Sequence, residues 1–256
     1  MANELQALNE VLKDVPSRDE LVKRLGTFVD ELTSAAGNNL ASLVMFGGLA
    51  RGRYRPGLSD VNVLVVLKRA GREELGAIAG ALRSAWRSVR VEPMIVEESQ
   101  LAAAARAFPT KFLDIKAYHV LLAGGDVLAA VDAPPERVLW RVEQALQNMA
   151  IRLRRRLVAE MDDQAGLARE LAEIARPLAI ELTWLLRATG RSMPASDRTV
   201  AIFAAAAREF GLDGGALAEL AAIRASPGVR DGMTDLCVRV IDSMAKAAGV
   251  AAGSTA

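Results

Sequence analysis

The chain has 256 residues, 52% hydrophobic and 25% charged, and its 32 Lys and Arg against 31 Asp and Glu leave a net charge of +1. That length supports one large or two modest domains with an ample core, and the charge balance excludes a global pull on nucleic acid or acidic membranes. The lone Cys237 excludes an intrachain disulfide, the lone His119 excludes a multi-histidine zinc site, and no apolar run approaches the roughly 18 residues of a membrane span.

The segment Met1–Ala7 has neither a basic lead nor an apolar block, so it does not read as a signal peptide, and with a single cysteine the chain reads as cytoplasmic. Residues 4–14 and 18–35 read as helices. In the second, Leu21, Leu25, Phe28, Val29 and Leu32 recur at helical spacing behind a capping box of Ser17 and Glu20. Gly37-Asn38-Asn39 closes it. The stretch from Leu43 to Leu67 then reads as a buried strand, a Gly/Arg-rich connection and a second buried strand opening with Ser59-Asp60. Gly47 and Gly48 lack a Cβ, so backbone N–H groups there can approach a phosphate. Arg51, Arg53 and Arg55 add positive charge suited to phosphate oxygens. Asp60 and Asn62, two apart on a strand, leave the same face. A glycine turn, cations and an acid on the next strand describe a metal–phosphate site.

On these residues the stretch resembles the signature of the nucleotidyltransferase fold, the polymerase-β superfamily: Gly-Ser, a spacer with Arg-Gly, then Ser-Asp-x-Asp on a hydrophobic strand. Gly47 matches the first glycine, Ala50-Arg51-Gly52 the spacer, and Ser59-Asp60 the acidic strand's start. The resemblance implies that Asp60 ligates Mg2+ or Mn2+, and that Gly47, Gly48, Arg51 and Ser59 hold a nucleotide's phosphates. Two positions depart from the pattern. Gly48 replaces the serine, and Asn62 replaces the second metal-binding aspartate, offering a carbonyl oxygen without charge.

After the second strand, a helix from about residue 71 to Ser88 carries Leu75, Ile78, Ala79, Leu82 and Trp86 on one stripe. A third strand follows at Val89–Val96, which Pro93 confines to an edge or a bulge. The resemblance places a third metal carboxylate on this strand, where Glu92 is the one acid in a suitable position. The plainer reading of Glu92 is a solvent-facing glutamate. Glu97 to Ala107 reads as a short helix. The run from Phe108-Pro109 through Phe112, Asp114 and Ile115 to a strand ending in Leu122-Ala123-Gly124-Gly125-Asp126 also resembles the family. His119 reads more simply as a packed or hydrogen-bonded residue than as a catalyst. Asp114 reads as a local cap or a partner of Lys111.

Ala133-Pro134-Pro135 is the expected domain boundary, giving a nucleotidyltransferase-like domain over 1–132 and a helical bundle over 133–256. The fold class expected is α+β, a small mixed sheet followed by an all-helical bundle. One long helix carries a stripe from Val138 to Leu157 and a second a stripe from Leu167 to Leu185, with Pro177 a kink. Shorter helices follow around 196–210, 214–224 and 229–248, and the tail from Gly249 is expected to fray. Arg152, Arg154, Arg155 and Arg156 read either as a clamp on a triphosphate or, more plainly, as a solvated helix end. The resemblance implies that a helical-domain glutamate acts as base; Glu143, Glu170, Glu173 and Glu181 are the acids in range, and none is singled out.

What the resemblance implies is metal-dependent transfer of a nucleoside monophosphate from a nucleoside triphosphate such as ATP to the hydroxyl of a small molecule or protein, Arg51 adding charge stabilisation. The alternatives are a degenerate nucleotide-binding, antitoxin-like or regulatory module, and a scaffold that keeps only the fold. Neither membrane nor nucleic acid is an expected partner, since the chain has no basic stripe or aromatic platform. An oligomer is compatible with the sequence.

Overall fold

The computed structural model describes Leu12 and residues 18–54, 59–226 and 228–254. The expected helix over 4–14, Ser17 of the capping box and Arg55 lie outside them, Leu12 excepted. Two compact units divide the chain, Met1–Asp132 and Ala133–Ala256. The elements of the first are α1 (Arg18–Ala36), β1 (Leu40–Phe46), β2 (Val61–Leu67), α2 (Arg72–Val89), β3 (Val91–Glu97), α3 (Glu98–Ala107), α4 (Pro109–Ala117) and β4 (His119–Gly124).

The four strands form one mixed sheet in the order β3-β2-β1-β4. β1 runs antiparallel to β2 and β4, while β2 and β3 are parallel. Helix α2 links the parallel pair, because a parallel connection must cross from one end of the sheet to the other. Pro93 sits on β3 at the sheet's edge, where a residue without an N–H does least damage to the ladder. The central strands read as unbroken apolar runs because both faces are covered. On one face Leu43, Met45, Val61, Val63, Val65 and Val91 pack against Leu25, Phe28, Leu32, Ile78 and Ala85 of α1 and α2. On the other, Val44, Leu64 and Val66 pack against Leu101, Ala105, Phe112 and Ile115 of α3 and α4.

The second unit is helical throughout its regular structure. It contains α5 (Pro135–Ala159), α6 (Gln164–Ala188), α7 (Thr199–Phe210), α8 (Gly214–Ala225) and α9 (Met233–Gly253). The stripe of α5 is buried at Val138, Val142, Leu146, Leu153 and Leu157, and α9 and α6 pack on it. α6 continues through Pro177, and its carboxyl-terminal half buries Leu178, Leu182, Leu185 and Leu186. The expected fraying from Gly249 is corrected: α9 runs to Gly253, since Ala247, Ala248 and Ala251 are buried and packing holds the last turns. Arg239 of α9 bonds Asp213, the residue capping α8, and Glu219 within α8, clipping the two helices together. Among the described residues no helix is long and apolar enough to cross a membrane.

Glu181 stands apart from the other glutamates of the bundle. Its Oε2 is buried without a hydrogen-bond partner. Burial pushes its carboxyl up from 4.5 to about 7, opposed only in part by the charge of Arg141. Its proton is therefore held in the fold and released near pH 4.5 on unfolding, so its contribution to stability is complete below pH 4.5 and is lost as pH rises to about 7.

Two consequences are measurable. Glu181→Gln keeps the volume and removes the ionisation, so by urea denaturation it should be more stable than wild type by about 3 kcal/mol at pH 8 and nearly equal to it at pH 4.5; parallel stability–pH curves would refute the assignment. At the end of β4, Gly124 has φ +80 and a Cβ there would overlap the Ala41 carbonyl, whereas one on Gly125 would make ordinary contact at 3.9 Å. Gly124→Ala should cost about 2–4 kcal/mol and Gly125→Ala less than about 1, read from the same denaturation curves.

Candidate functional site

The candidate residues gather at one end of the sheet, where β1 finishes and β2, β3 and β4 begin. Phe46 faces His119 of β4 on one side and Asn62 of β2 on the other, and Asn62 faces Glu92 of β3. Register partners project from the same face, so His119, Phe46, Asn62 and Glu92 make one row across the sheet. The row lies on the face that α3 and α4 cover further along. Asn62 is half-buried and Glu92 is exposed.

Beyond Phe46 the chain turns sharply. Gly47 has φ +79, a conformation that favours glycine, and a Cβ there would lie 3.2 Å from Asn62 Nδ2. The glycine thus lets the Asn62 amide lie directly against the turn. Gly48 needs its smallness for a different reason. Its φ of −61 is ordinary, but a Cβ would lie 3.0 Å from the Arg53 carbonyl. That carbonyl is drawn close because Arg51 and Arg53 both donate their N–H to Gly48 O, at 3.2 and 2.8 Å. The loop over Leu49–Arg51 is a single 3-10 turn closed by Gly52 at φ +67. Gly48 therefore serves the loop's closure, and a serine there would have to push the Arg53 backbone away.

Arg51 is turned into the domain, with its side chain 17% exposed. Its Nη2 bonds Asp114 Oδ1, and its guanidinium lies 3.8 Å from the centre of the Tyr118 ring. The contact anchors the loop to α4 and to the residue after it. Asp114 is thus a partner of Arg51 rather than of Lys111, a pairing across 63 residues that local reading could not find. His119 Nδ1 lies 3.0 Å from the Lys116 carbonyl, and its Nε2 is 4.0 Å from Asp126. Both contacts are local, in keeping with a positional histidine.

Asp60 was expected on the strand; it instead precedes β2, which starts at Val61. Its Oδ1 accepts a bond of 2.7 Å from Arg90 Nε. Arg90 carried no signal in the sequence beyond ending α2. Ser59 lies beside Asp60 at the loop's end. The glutamates Glu143, Glu170, Glu173 and Glu181 belong to the helical unit, as do Arg152, Arg154, Arg155 and Arg156, which are exposed; Arg156 pairs with Glu170 at 3.2 Å.

Hard divalent cations take oxygen donors, and Mg2+ in phosphate sites commonly uses one or two carboxylates with phosphate and water completing the shell. Asp60, Asn62 and Glu92 each carry a side-chain oxygen of that kind, with Asn62 and Glu92 in register on β2 and β3 and Asp60 just before β2. Among the described residues no group of three or more His, Cys, Asp or Glu could hold a metal ion. With two carboxylates and one amide, the chemistry of these side chains suits at most one divalent ion completed by a ligand's oxygens, and Asn62 stands where a two-ion site needs a bridging acid.

With this geometry in hand, comparison with known proteins is informative. Residues 22–115, from α1 to the Asp114-Ile115 segment, match the nucleotidyltransferase domain family. A comparison with curated proteins gave no match. Among solved structures, the chain is similar to the spectinomycin adenyltransferase AAD(9) from Enterococcus faecialis, solved with ATP and spectinomycin. The likeness has a TM-score of 0.53 at 11% identity and covers 88% of this chain and 98% of that one. At that identity the shared property is the fold. With its mixed four-stranded sheet, the glycine turn after β1 and an aspartate immediately before β2, the chain is a nucleotidyltransferase-fold protein.

Proposed function

We propose that the chain transfers a nucleoside monophosphate from a nucleoside triphosphate, ATP first among candidates, to an acceptor hydroxyl on a small molecule or a protein side chain. The observation that carries this reading is the row at the sheet's end, where the Gly47 turn, Asn62 and Glu92 meet by strand register with Asp60 beside them. Gly47, Gly48 and Ser59 line the phosphates in this reading. Asp60, Asn62 and Glu92 would hold a single Mg2+ or Mn2+, whose chemistry when bound would be to neutralise phosphate charge. The acceptor hydroxyl attacks the α-phosphorus, the bond to the β-phosphate oxygen breaks, pyrophosphate leaves and the hydroxyl proton is released. Arg51 acts by fixing the loop through Asp114 and Tyr118, so that backbone groups are positioned before the nucleotide arrives. Because the similar adenyltransferase was solved with spectinomycin, small polyhydroxylated molecules are the first acceptors to screen.

A second reading is favoured by three observations: Asn62 lacks a charge, Gly48 lacks a hydroxyl, and the Asp60 carboxylate is already paired with Arg90. These suit a module that binds nucleotide for regulation or in antitoxin-like fashion without turnover.

Calorimetric titration of ATP and GTP, with and without Mg2+, tests the common ground of both readings. Binding that strengthens with Mg2+ and weakens at least about tenfold in Asp60→Ala is expected. Failure of either nucleotide to bind under any metal condition would sink the nucleotide site. Asn62→Asp separates the two readings by turnover. An increase of about tenfold or more in metal-dependent nucleotidyl transfer marks an enzyme limited by its missing acid. Transfer already present in wild type and unchanged in Asn62→Asp means that the asparagine serves as it stands, and absence of transfer in both supports the binding module.

A further inference from the structure

Arg90 is the one residue other than glycine with positive φ among the described residues, at φ 57 and ψ 46. It is the C-cap of α2, a position where the left-handed conformation normally selects glycine because a Cβ makes it unfavourable. An arginine at this position brings to the segment before β2 a side chain that glycine would not. Backbone and side chain act on the same short segment. The Arg90 carbonyl accepts from Val61 N at 3.0 Å, between Asp60 and Asn62, while Nε donates to Asp60 Oδ1 at 2.7 Å. Two residues further on, Glu92 faces Asn62 across the strand pair. The guanidinium lies 5.5 Å from the centre of the Trp86 ring.

The ion pair is built for exchange. Arg90 and Asp60 are 49% and 42% exposed, and pairs so open to water hold weakly and trade partners readily. A guanidinium matches two phosphate oxygens at least as well as one carboxylate oxygen. We propose that Arg90 is the resident counter-ion of Asp60, a positioning residue that competes with a divalent cation for the Asp60 carboxylate and moves to the nucleotide's phosphates as Asp60 takes the cation. Cation and nucleotide then load together, each raising the affinity of the other by the same factor. The inference rests on the reading of Asp60 as a metal ligand in the proposed function.

The test follows Mn2+ binding by electron paramagnetic resonance, with and without ATP, on the full chain as wild type, Arg90→Gln, Arg90→Gly and Asp60→Ala. Both Arg90 variants should bind Mn2+ about tenfold more tightly than wild type in the absence of ATP. The enhancement of Mn2+ binding by ATP should shrink by about the same factor. Arg90→Gly suits the left-handed backbone, so it remains folded and informative even where Arg90→Gln is unstable. Unchanged or weakened Mn2+ affinity in Arg90→Gly, with Mn2+–ATP binding still dependent on Asp60, overturns the counter-ion role alone. Mn2+–ATP binding in wild type that Asp60→Ala leaves unchanged overturns the proposed metal site as well.

Discussion

The antiparallel pairing of β1 with β2 is the constraint on which the first unit depends. Its register is not free to slip. Leu43 and Met45 point to one core, Val44 points to the other, and a shift by one residue would exchange them. The same register that fills both cores sets Phe46 opposite Asn62, and so delivers the Gly47 turn onto the Asn62 amide. Site geometry is in this sense a by-product of core packing. The strands are rigid because they are buried on both faces, and the loop that joins their ends inherits fixed anchor points.

Much of the fold was legible because its signals are local. Val- and Leu-rich runs bounded by glycine gave β1 and β2, Pro93 placed β3 at an edge, and stripes at helical spacing marked α1, α2, α5 and α6. Where the sequence misled, tertiary burial had overridden composition. The small residues after Gly249 looked too weak to sustain a helix, yet small size is what allows Ala251 to be buried in the bundle. Asp60 looked like strand by alternation with Asn62, but pairing begins at Val61, where the first β2 amide meets the Arg90 carbonyl.

The candidate residues could be named from the sequence, but the partners that hold them could not. Gly47, Asp60, Asn62 and Glu92 could be named from spacing and family resemblance, and strand register brings Asn62 and Glu92 face to face. The partners that fix the charges could not be named. Asp114 reaches Arg51 from 63 residues away and Arg90 reaches Asp60 from 30, and neither pairing has a periodic or local signature. Gly48 shows the same gap in another form. Its departure from the family's serine reads from sequence as a lost hydroxyl, whereas the structure gives it a steric reason in the neighbouring Arg53 carbonyl.

These pairings change what kind of site this is. A glycine turn ringed by arginines suggests an electropositive cradle that waits for phosphate. Instead Arg51 is neutralised by Asp114 and Arg90 by Asp60, so much of the local field cancels before any ligand arrives. A site balanced in this way does not draw free anions by long-range attraction, and it does not hold a bare divalent cation with a full set of acids. In the proposed function such a balance suits a ligand that carries both charges at once: a nucleotide complexed with its cation would offer phosphate to Arg90 and cation to Asp60 in one event, exchanging one ion pair for two. Asparagine at position 62 fits this balance, since a further carboxylate beside Asp60 and Glu92 would add a negative charge that Arg90 alone does not offset.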